Sequence, residues 1–395
     1  MKVKYAIIFV LIILSISLTG CFLFPPRDNT AEWTVMVYLA ADNNLESAGI
    51  DDINDMEMVG STSDVNIVVQ VDRIPGYDIS NDNWTTTRRY YITQDFDPIQ
   101  INSQLISDLG ELNMGDPQTL VDFANWAMTN YTAKKYLLVI WNHGGGFRSV
   151  NLARDIAWDD TSGGDKITMP ELEDALSMIS AQMGKKIDIV GMDACFMAMT
   201  EVAYQIKDYA DIMVASEEAE PFDGWPYDTI LSQLVSNPLM SSEELAVDIV
   251  DKYIFSYSYG NVTLSAIDLS YMDTLTSQLY NLALAIMSDS LTHKGKYILA
   301  STSSQHYGDW DFIDLYDFCN KILVYSNNIN VKNIALSIQQ TLNYAVIKSG
   351  YSGLGVSRSR GLSIYFPYYY YHNYYNHTNF AQDTFWDEML LSLGL

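Results

Sequence analysis

The 395-residue sequence predicts an α/β protein with a mainly parallel central sheet and helices on both faces. Two observations carry that prediction. Strand-like and helix-like segments alternate along the chain, the pattern of βαβ units. In addition, the apolar runs Val139-Ile140-Trp141 and Ile187-Asp188-Ile189-Val190-Gly191-Met192 stop abruptly at Asn142-His143-Gly144-Gly145-Gly146 and Asp193-Ala194-Cys195. β-Branched runs of this kind read as buried parallel strands.

In chain order, residues 33–40 read as the first strand and the acidic segment 45–59 has helical spacing. Residues 65–71 form the next strand, and 87–93 an edge strand. Residues 119–129 are helical and lead into the strand before His143. Thr168 and Pro170 open a helix over 169–183, a cap followed by proline in the first turn. The strand before Cys195 follows, and 196–207 continues as a helix. Residues 212–216 and 263–269 are further strands, 271–348 is mainly helical, and 361–366 supplies the last strand. There is no internal repeat and no low-complexity linker, so one large domain or two closely packed ones are expected.

The first twenty residues stand apart from this pattern. Lys2 and Lys4 precede an uncharged apolar run over 5–18, which ends in Leu18-Thr19-Gly20-Cys21. A basic region, an apolar core and small residues describe a secretory signal. The Leu-Thr-Gly-Cys ending looks like a lipobox, which implies cleavage before Cys21 and lipid on its sulfur. An ordinary signal peptide or an uncleaved anchor is the alternative. Acyl chains contribute about 0.8 kcal/mol per buried CH2, enough together for stable anchoring. Residues 21–31, with Pro25-Pro26, then form a lipidated tether, and 32–395 the folded domain. The expected location is extracytoplasmic, on a membrane face.

Composition narrows the partners. A net charge of −27 excludes nucleic acid as an expected ligand and favours cationic substrates. With Cys21 lipidated, only Cys195 and Cys319 remain, which rules out a disulfide scaffold. Cys319 reads as a buried structural thiol on a helix. Residues 368–371, all tyrosine, together with Tyr374 and Tyr375 form either an aromatic binding surface or a packed irregular segment.

Ligands of open α/β sheets sit outside the carboxyl ends of the strands. His143 and Cys195, delivered there by two strands, have the chemistry of base and nucleophile. A nearby imidazolium and a following helix N-terminus would lower the Cys195 thiol pKa. The backbone N–H groups of Gly144 and Cys195 are candidate oxyanion donors. No Gly-x-Ser-x-Gly elbow and no His-Glu-x-x-His motif is present, which disfavours serine hydrolases and zinc peptidases.

The His-Gly-Gly-Gly and Met-Asp-Ala-Cys blocks resemble those of the clostripain family of cysteine peptidases. Further matches are Trp33 to Glu46, Asp159-Asp160 with Met169-Pro170-Glu171-Leu172, Ser216-Glu217-Glu218 with Gly224-Trp225-Pro226-Tyr227, and Gly361 to Pro367. Their order spans nearly the whole mature chain. The resemblance implies a caspase-like three-layer sandwich and a Cys195–His143 dyad. It also implies cleavage of peptide or protein substrates after Arg or Lys, selected by Asp193; a helix-capping role is the alternative for Asp193. Asp223 is a second candidate for the pocket wall. Self-cleavage between histidine and cysteine is implied for some members, and Arg148, Arg154 and Lys166 are candidate targets here. Nothing in the sequence requires a cofactor, but calcium is implied for clostripain, and Asp159, Asp160 and Asp165 offer suitable oxygens. A non-catalytic surface lipoprotein that binds peptides or glycans is the competing reading; intact His143 and Cys195 count against it.

Overall fold

A computed structural model describes residues 30–147, 156–308 and 310–395. The predicted signal and tether over 1–29, with Cys21, and the candidate cleavage residues Arg148 and Arg154 lie outside the described residues.

The domain from Ala31 to Leu395 is built on a nine-stranded sheet. Its N-terminal half supplies β1 (Ala31–Ala41), β2 (Val65–Arg73), β3 (Arg88–Tyr91), β4 (Gln104–Asp108) and β5 (Ala133–Trp141). A separate hairpin follows, made of β6 (Ile156–Asp159) and β7 (Asp165–Ile167). The main sheet continues with β8 (Ile187–Asp193), β9 (Ala210–Ala215) and β10 (Val262–Asp268). The short strands β11 (His306–Tyr307) and β12 (Phe312–Asp314) leave the sheet, β13 (Val346–Ser352) rejoins it, and β14 (Ser363–Tyr365) joins β11 and β12.

The main sheet has the order β13-β10-β9-β8-β5-β1-β2-β3-β4. The five central strands, β9 to β2, are parallel, and an antiparallel pair closes each side. The core divides across the sheet as the period-2 alternation of a strand requires. On β1, Met36, Tyr38 and Ala40 enter one apolar cluster, whereas Val35, Val37 and Leu39 enter the other. One face is covered by α1 (Glu46–Glu57) with two helices over 227–236 and 242–256. The other carries α2 (Pro117–Asn130), α3 (Met169–Met183), α4 (Thr200–Ile206), the long Met272–Thr302 helix and the C-terminal helices. This is the expected three-layer α/β sandwich. As read from the sequence, α3 is opened by Thr168 with Pro170 in its first turn; the structure adds Glu171, whose carboxylate completes a capping box with Thr168, and Gly184 in the left-handed region ends the helix.

Several expectations change. Residues 88–91 are not an edge strand, because β4 pairs outside them. The helix after Cys195 starts at Thr200 rather than Phe196, since Phe196 has φ 61° and residues 196–199 form a turn. The late helical stretch is broken by β11 and β12 and followed by β13, a half-buried strand antiparallel to β10. The 361–366 strand, β14 in the structure, belongs to the small sheet rather than the main one. Cys319 is fully buried on a helix, as expected. Tyr375 of the aromatic segment is buried, while Tyr368, Tyr369 and Tyr370 are exposed.

Candidate active site

β5 and β8 are neighbours in parallel register, with Trp141 opposite Asp193. Their exits therefore leave the sheet side by side. Asn142 N–H donates to Asp193 O (3.2 Å), and the Asn142 amide donates to Ala40 O (2.5 Å) and Trp158 O (2.9 Å). These bonds fix the backbone from which His143 projects. His143 Nε2 lies 2.9 Å from Asn44 Oδ1. An amide oxygen only accepts, so this bond puts the proton on Nε2 and makes Nδ1 the basic nitrogen. Asn44 went unassigned in the sequence because its partner lies 99 positions away.

Gly144 meets the Cys195 segment at backbone distance. A Cβ there would lie 2.3 Å from Cys195 O and 2.9 Å from Cys195 N, so only glycine fits without movement. After Cys195 the chain is bound to the β9 exit by Phe196 N–H to Glu218 O (3.2 Å) and Ala198 N–H to Ser216 O (2.8 Å). Thr263 Oγ1 accepts from the N–H groups of Glu217 and Glu218 (3.0 Å each) and holds that exit from β10. The arrangement delivers Glu220 to the thiol: its N–H donates to Cys195 Sγ at 3.2 Å.

His143, Cys195, Asn44, Asp193, Glu220 and Phe222 line one cleft of about 280 Å³. A larger groove of about 640 Å³, along the Met272–Thr302 helix, is lined by Gln278, Asn281, Asn333 and similar residues without a titratable group. Chemistry, not volume, selects the smaller cleft.

The electrostatics of the thiol differ from the sequence expectation. Burial raises the Cys195 pKa above its ordinary value. The charges of Asp193 and Glu218 add to that, and the backbone N–H groups of Glu220 and Gly144 offset part of it. The expected helix N-terminus is missing here because the helix begins five residues later.

Asp193 forms the floor of the cleft beside the thiol. Its Oδ2 accepts from Tyr227 OH (2.9 Å) and Trp225 N–H (3.2 Å), and Gly224 (φ 55°) lies against the carboxylate. Trp225 reaches this position because Gly191 of β8 leaves room for its ring; a Cβ at Gly191 would come within 2.8 Å of it. Burial lifts Asp193 to about 6, with the adjacent Glu220 carboxyl and the hydrogen bonds from Tyr227 and Trp225 acting against it. Glu220 is raised well above the usual range by burial and by the Asp193 charge. Asp52, on α1, is raised by burial and then by Asp193. Glu220 Oε1 and Oε2, Asp52 Oδ2 and Tyr253 OH are buried without hydrogen-bond partners among the described residues. The floor is thus a cluster of buried acids with spare acceptor capacity. Asp223, the second residue named from the sequence, is exposed; Glu220, three residues earlier, is the acid against Asp193.

The remaining named residues scatter. Lys166 sits on β7 with its ammonium 5.0 Å from the Trp158 ring centroid. Asp160 is exposed and accepts from Trp158 Nε1 (2.6 Å), and Asp165 pairs with Asn113 Nδ2 (2.6 Å). Asp159 instead joins Asp42, Asp72 and Glu111. No described helix is long and apolar enough to cross a membrane.

Comparison with known proteins bears on the family and the fold. The model of the clostripain family matches residues 37–392. Clostripain of Hathewaya histolytica is 28% identical over 417 residues, covering 87% of this chain and 77% of the relative. Among solved structures, a secreted C11 cysteine protease from Bacteroides thetaiotaomicron, in complex with an irreversible peptide inhibitor, aligns with TM-score 0.68 at 20% identity over 91% of this chain and 99% of its own. An inactive zymogen C11 protease from Parabacteroides distasonis aligns with TM-score 0.68 at 20% identity, over 90% and 98%.

Proposed function

The chain belongs to the clostripain family of cysteine endopeptidases, and from that premise we propose that Cys195 and His143 form its catalytic dyad and that it cleaves after Arg or Lys. The observation that carries the proposal is the single cleft in which these two residues meet a floor of buried carboxylates. His143 Nδ1 takes the Cys195 thiol proton as Sγ attacks the scissile carbonyl. The carbonyl π pair moves onto oxygen, where the N–H groups of Gly144 and Cys195 receive the charge. Collapse expels the amine, which takes its proton from His143, and leaves an acyl-enzyme. Water, deprotonated by His143, then releases the acid and restores the thiol. Asn44 holds the imidazole through Nε2 and is a positioning residue.

Asp193 and Glu220 would receive the guanidinium or ammonium of the residue before the cut, through charge-assisted hydrogen bonds. Buried acceptors that lack a donor suit a ligand that brings several. Lipid attachment at Cys21 and an extracytoplasmic, membrane-held location complete the reading and rest on the Leu18-Thr19-Gly20-Cys21 motif. Self-cleavage would fall at Arg148 or Arg154 rather than at Lys166, which is built into β7.

The test is hydrolysis of matched fluorogenic peptides ending in Arg, Lys, Asp or Leu by wild type, Cys195→Ala and Asp193→Asn. Expected are basic-selective cleavage, its loss in Cys195→Ala, and a fall of about 10²–10³ in kcat/KM for basic peptides in Asp193→Asn. Equal cleavage of Leu and Arg peptides by wild type would refute the specificity.

A further inference from the structure

A hollow of about 550 Å³ opens outside the cleft, lined by Gly308, Trp310, Asp311, Tyr369, Tyr370 and His372. Trp310 lies in the turn between β11 and β12, and the tyrosines follow β14, so the small sheet carries the whole feature. Trp310, Tyr369 and Tyr370 are 52%, 73% and 80% exposed. Single exposed rings need no explanation. These form a row instead, with ring centroids 5.5 Å apart from Trp310 to Tyr368 and 4.6 Å from Tyr368 to Tyr369, both edge to face.

The row is held in place. Trp310 has φ 71°, a region a bulky side chain occupies only when its surroundings impose it. Its N–H donates to Tyr307 O (3.2 Å), and its carbonyl accepts from His306 Nδ1 (3.0 Å). Asp311 Oδ1 accepts from Tyr368 N–H (2.8 Å), and Oδ2 lies 3.4 Å from His372 Nε2. With both Asp311 oxygens engaged, the hollow offers ring area rather than charge.

Its occupant follows from its place beside Cys195. Trp225, Tyr227 and Tyr253, around the acid floor, belong to the apolar cluster under α1. Phe196, the residue after Cys195, packs into the cluster on the other face of the sheet, 5.9 Å from Phe312. Gly308 lies against that ring: a Cβ there would be 3.1 Å from Phe196 Cε1 and Cζ. The Gly308 backbone also hydrogen-bonds the Glu218 carboxylate on the β9 exit. Floor and hollow thus flank Cys195 on opposite faces, and one side chain joins the hollow to the nucleophile. Successive side chains of an extended peptide point to opposite sides. With a basic side chain in the floor, its neighbours point toward the face that carries the hollow.

We propose that this hollow is a second specificity subsite, taking an aromatic side chain of the substrate at a fixed position within four residues of the scissile bond, about 13 Å of extended chain. The subsite rests on the peptidase reading above, and continuity with the cleft selects the substrate chain over a separate ligand.

The test uses the full chain and internally quenched peptides with one Arg, in which Phe replaces Ala at each of four positions on either side. At one position Phe should raise kcat/KM at least about tenfold, and Trp310→Ala should bring that ratio within about twofold of one. The double variant Tyr369→Ala/Tyr370→Ala, on exposed residues, should lower the ratio at least about threefold and decides if Trp310→Ala fails to fold. Tyr344→Ala is the control and should keep the ratio: Tyr344 is 70% exposed but stands with Lys186 and Asp211, by the starting ends of β8 and β9. Should wild type cleave none of the peptides, the peptidase reading fails by itself. The same Phe-to-Ala ratio, read as Kd of labelled peptides on Cys195→Ala, then decides the subsite. No preference for Phe at any position overturns it, as does a preference unchanged in folded Trp310→Ala. Saturable binding of chitohexaose or xylohexaose that is lost in Trp310→Ala, with no Phe preference, would assign the hollow to glycans and overturn it equally.

Discussion

Gly144→Ala tests whether the two strand exits must meet at backbone distance. The added methyl would lie 2.3 Å from Cys195 O and 2.9 Å from Cys195 N and Ala194 Cβ, where ordinary contact begins at 3.4 Å. The shortfall against the carbonyl oxygen is about 1.1 Å, and a backbone atom cannot rotate away as a side chain can. The β5 and β8 exits must therefore separate, carrying His143 from Cys195 and the Gly144 N–H from the oxyanion position. A misplacement of about 1 Å costs roughly 10²-fold, and loss of one oxyanion donor about 10²–10³-fold. Overpacking costs stability only about 1–3 kcal/mol, a few degrees in Tm for a domain of this size. The expected result is kcat/KM on an Arg peptide reduced at least about 100-fold in a protein that still melts cooperatively. Gly295→Ala is the control: it lies in a helix with nothing within 4 Å of the new methyl, and should leave kcat/KM unchanged. Gly144→Ala activity within about threefold of wild type would refute the geometry.

Three further outcomes follow from the same site. Glu220→Gln should raise KM for Arg and Lys peptides by about tenfold or more, while Asp223→Asn, on an exposed residue, should change it by less than about twofold; the reverse order would remove Glu220 from the pocket. Burial holds Asp193 at about 6 and both Glu201 and Asp314 at about 7, above their unfolded values near 4. Between about pH 4 and 7 the native state then keeps protons the unfolded chain has lost, so stability falls as pH rises; Tm in chelator should be lower at pH 8 than at pH 5, and a rising Tm would contradict it. Because the Asp193 charge helps raise the Cys195 thiol, Asp193→Asn should move the pH midpoint of Cys195 alkylation by iodoacetamide downward, read by peptide mass spectrometry; an upward shift would show the charge acting the other way.

The parts of the fold legible in the sequence were those where one residue's environment repeats along the element. β1, β5 and β8 are buried on both faces, so their apolar runs announce them, and α3 carries its own cap and proline. The 196–199 turn was misread because Met197, Ala198 and Met199 are apolar in either conformation; Phe196 in the left-handed region is a tertiary outcome. β13 was missed because its residues are only half-buried and pair with β10, some eighty positions earlier. In the site, His143, Cys195 and Asp193 stand at strand ends, where pattern and chemistry coincide. Glu220 and Asn44 sit in loops whose meaning comes only from a partner distant in the chain. Nothing local distinguishes Glu220 from Glu218 or Asp223, and the distinction is made by Thr263, which pins the β9 exit.

The acids proposed to choose the substrate also act on the thiol proposed as nucleophile. Burial and the Asp193 and Glu218 charges hold Cys195 as a thiol, and the acid floor has no cation of its own among the described residues. A guanidinium or ammonium entering the floor neutralises the Asp193 charge, which removes one of the influences opposing the thiolate. On the proposed specificity, docking an Arg or Lys side chain would therefore ease ionisation of Sγ as the scissile carbonyl arrives. A neutral side chain of the same length leaves the Asp193 charge acting on the thiol, and it leaves the buried acceptors of Glu220 unpaired as well. Discrimination should then show in kcat as well as KM, because the interaction that binds the substrate also moves the proton equilibrium of the attacking group.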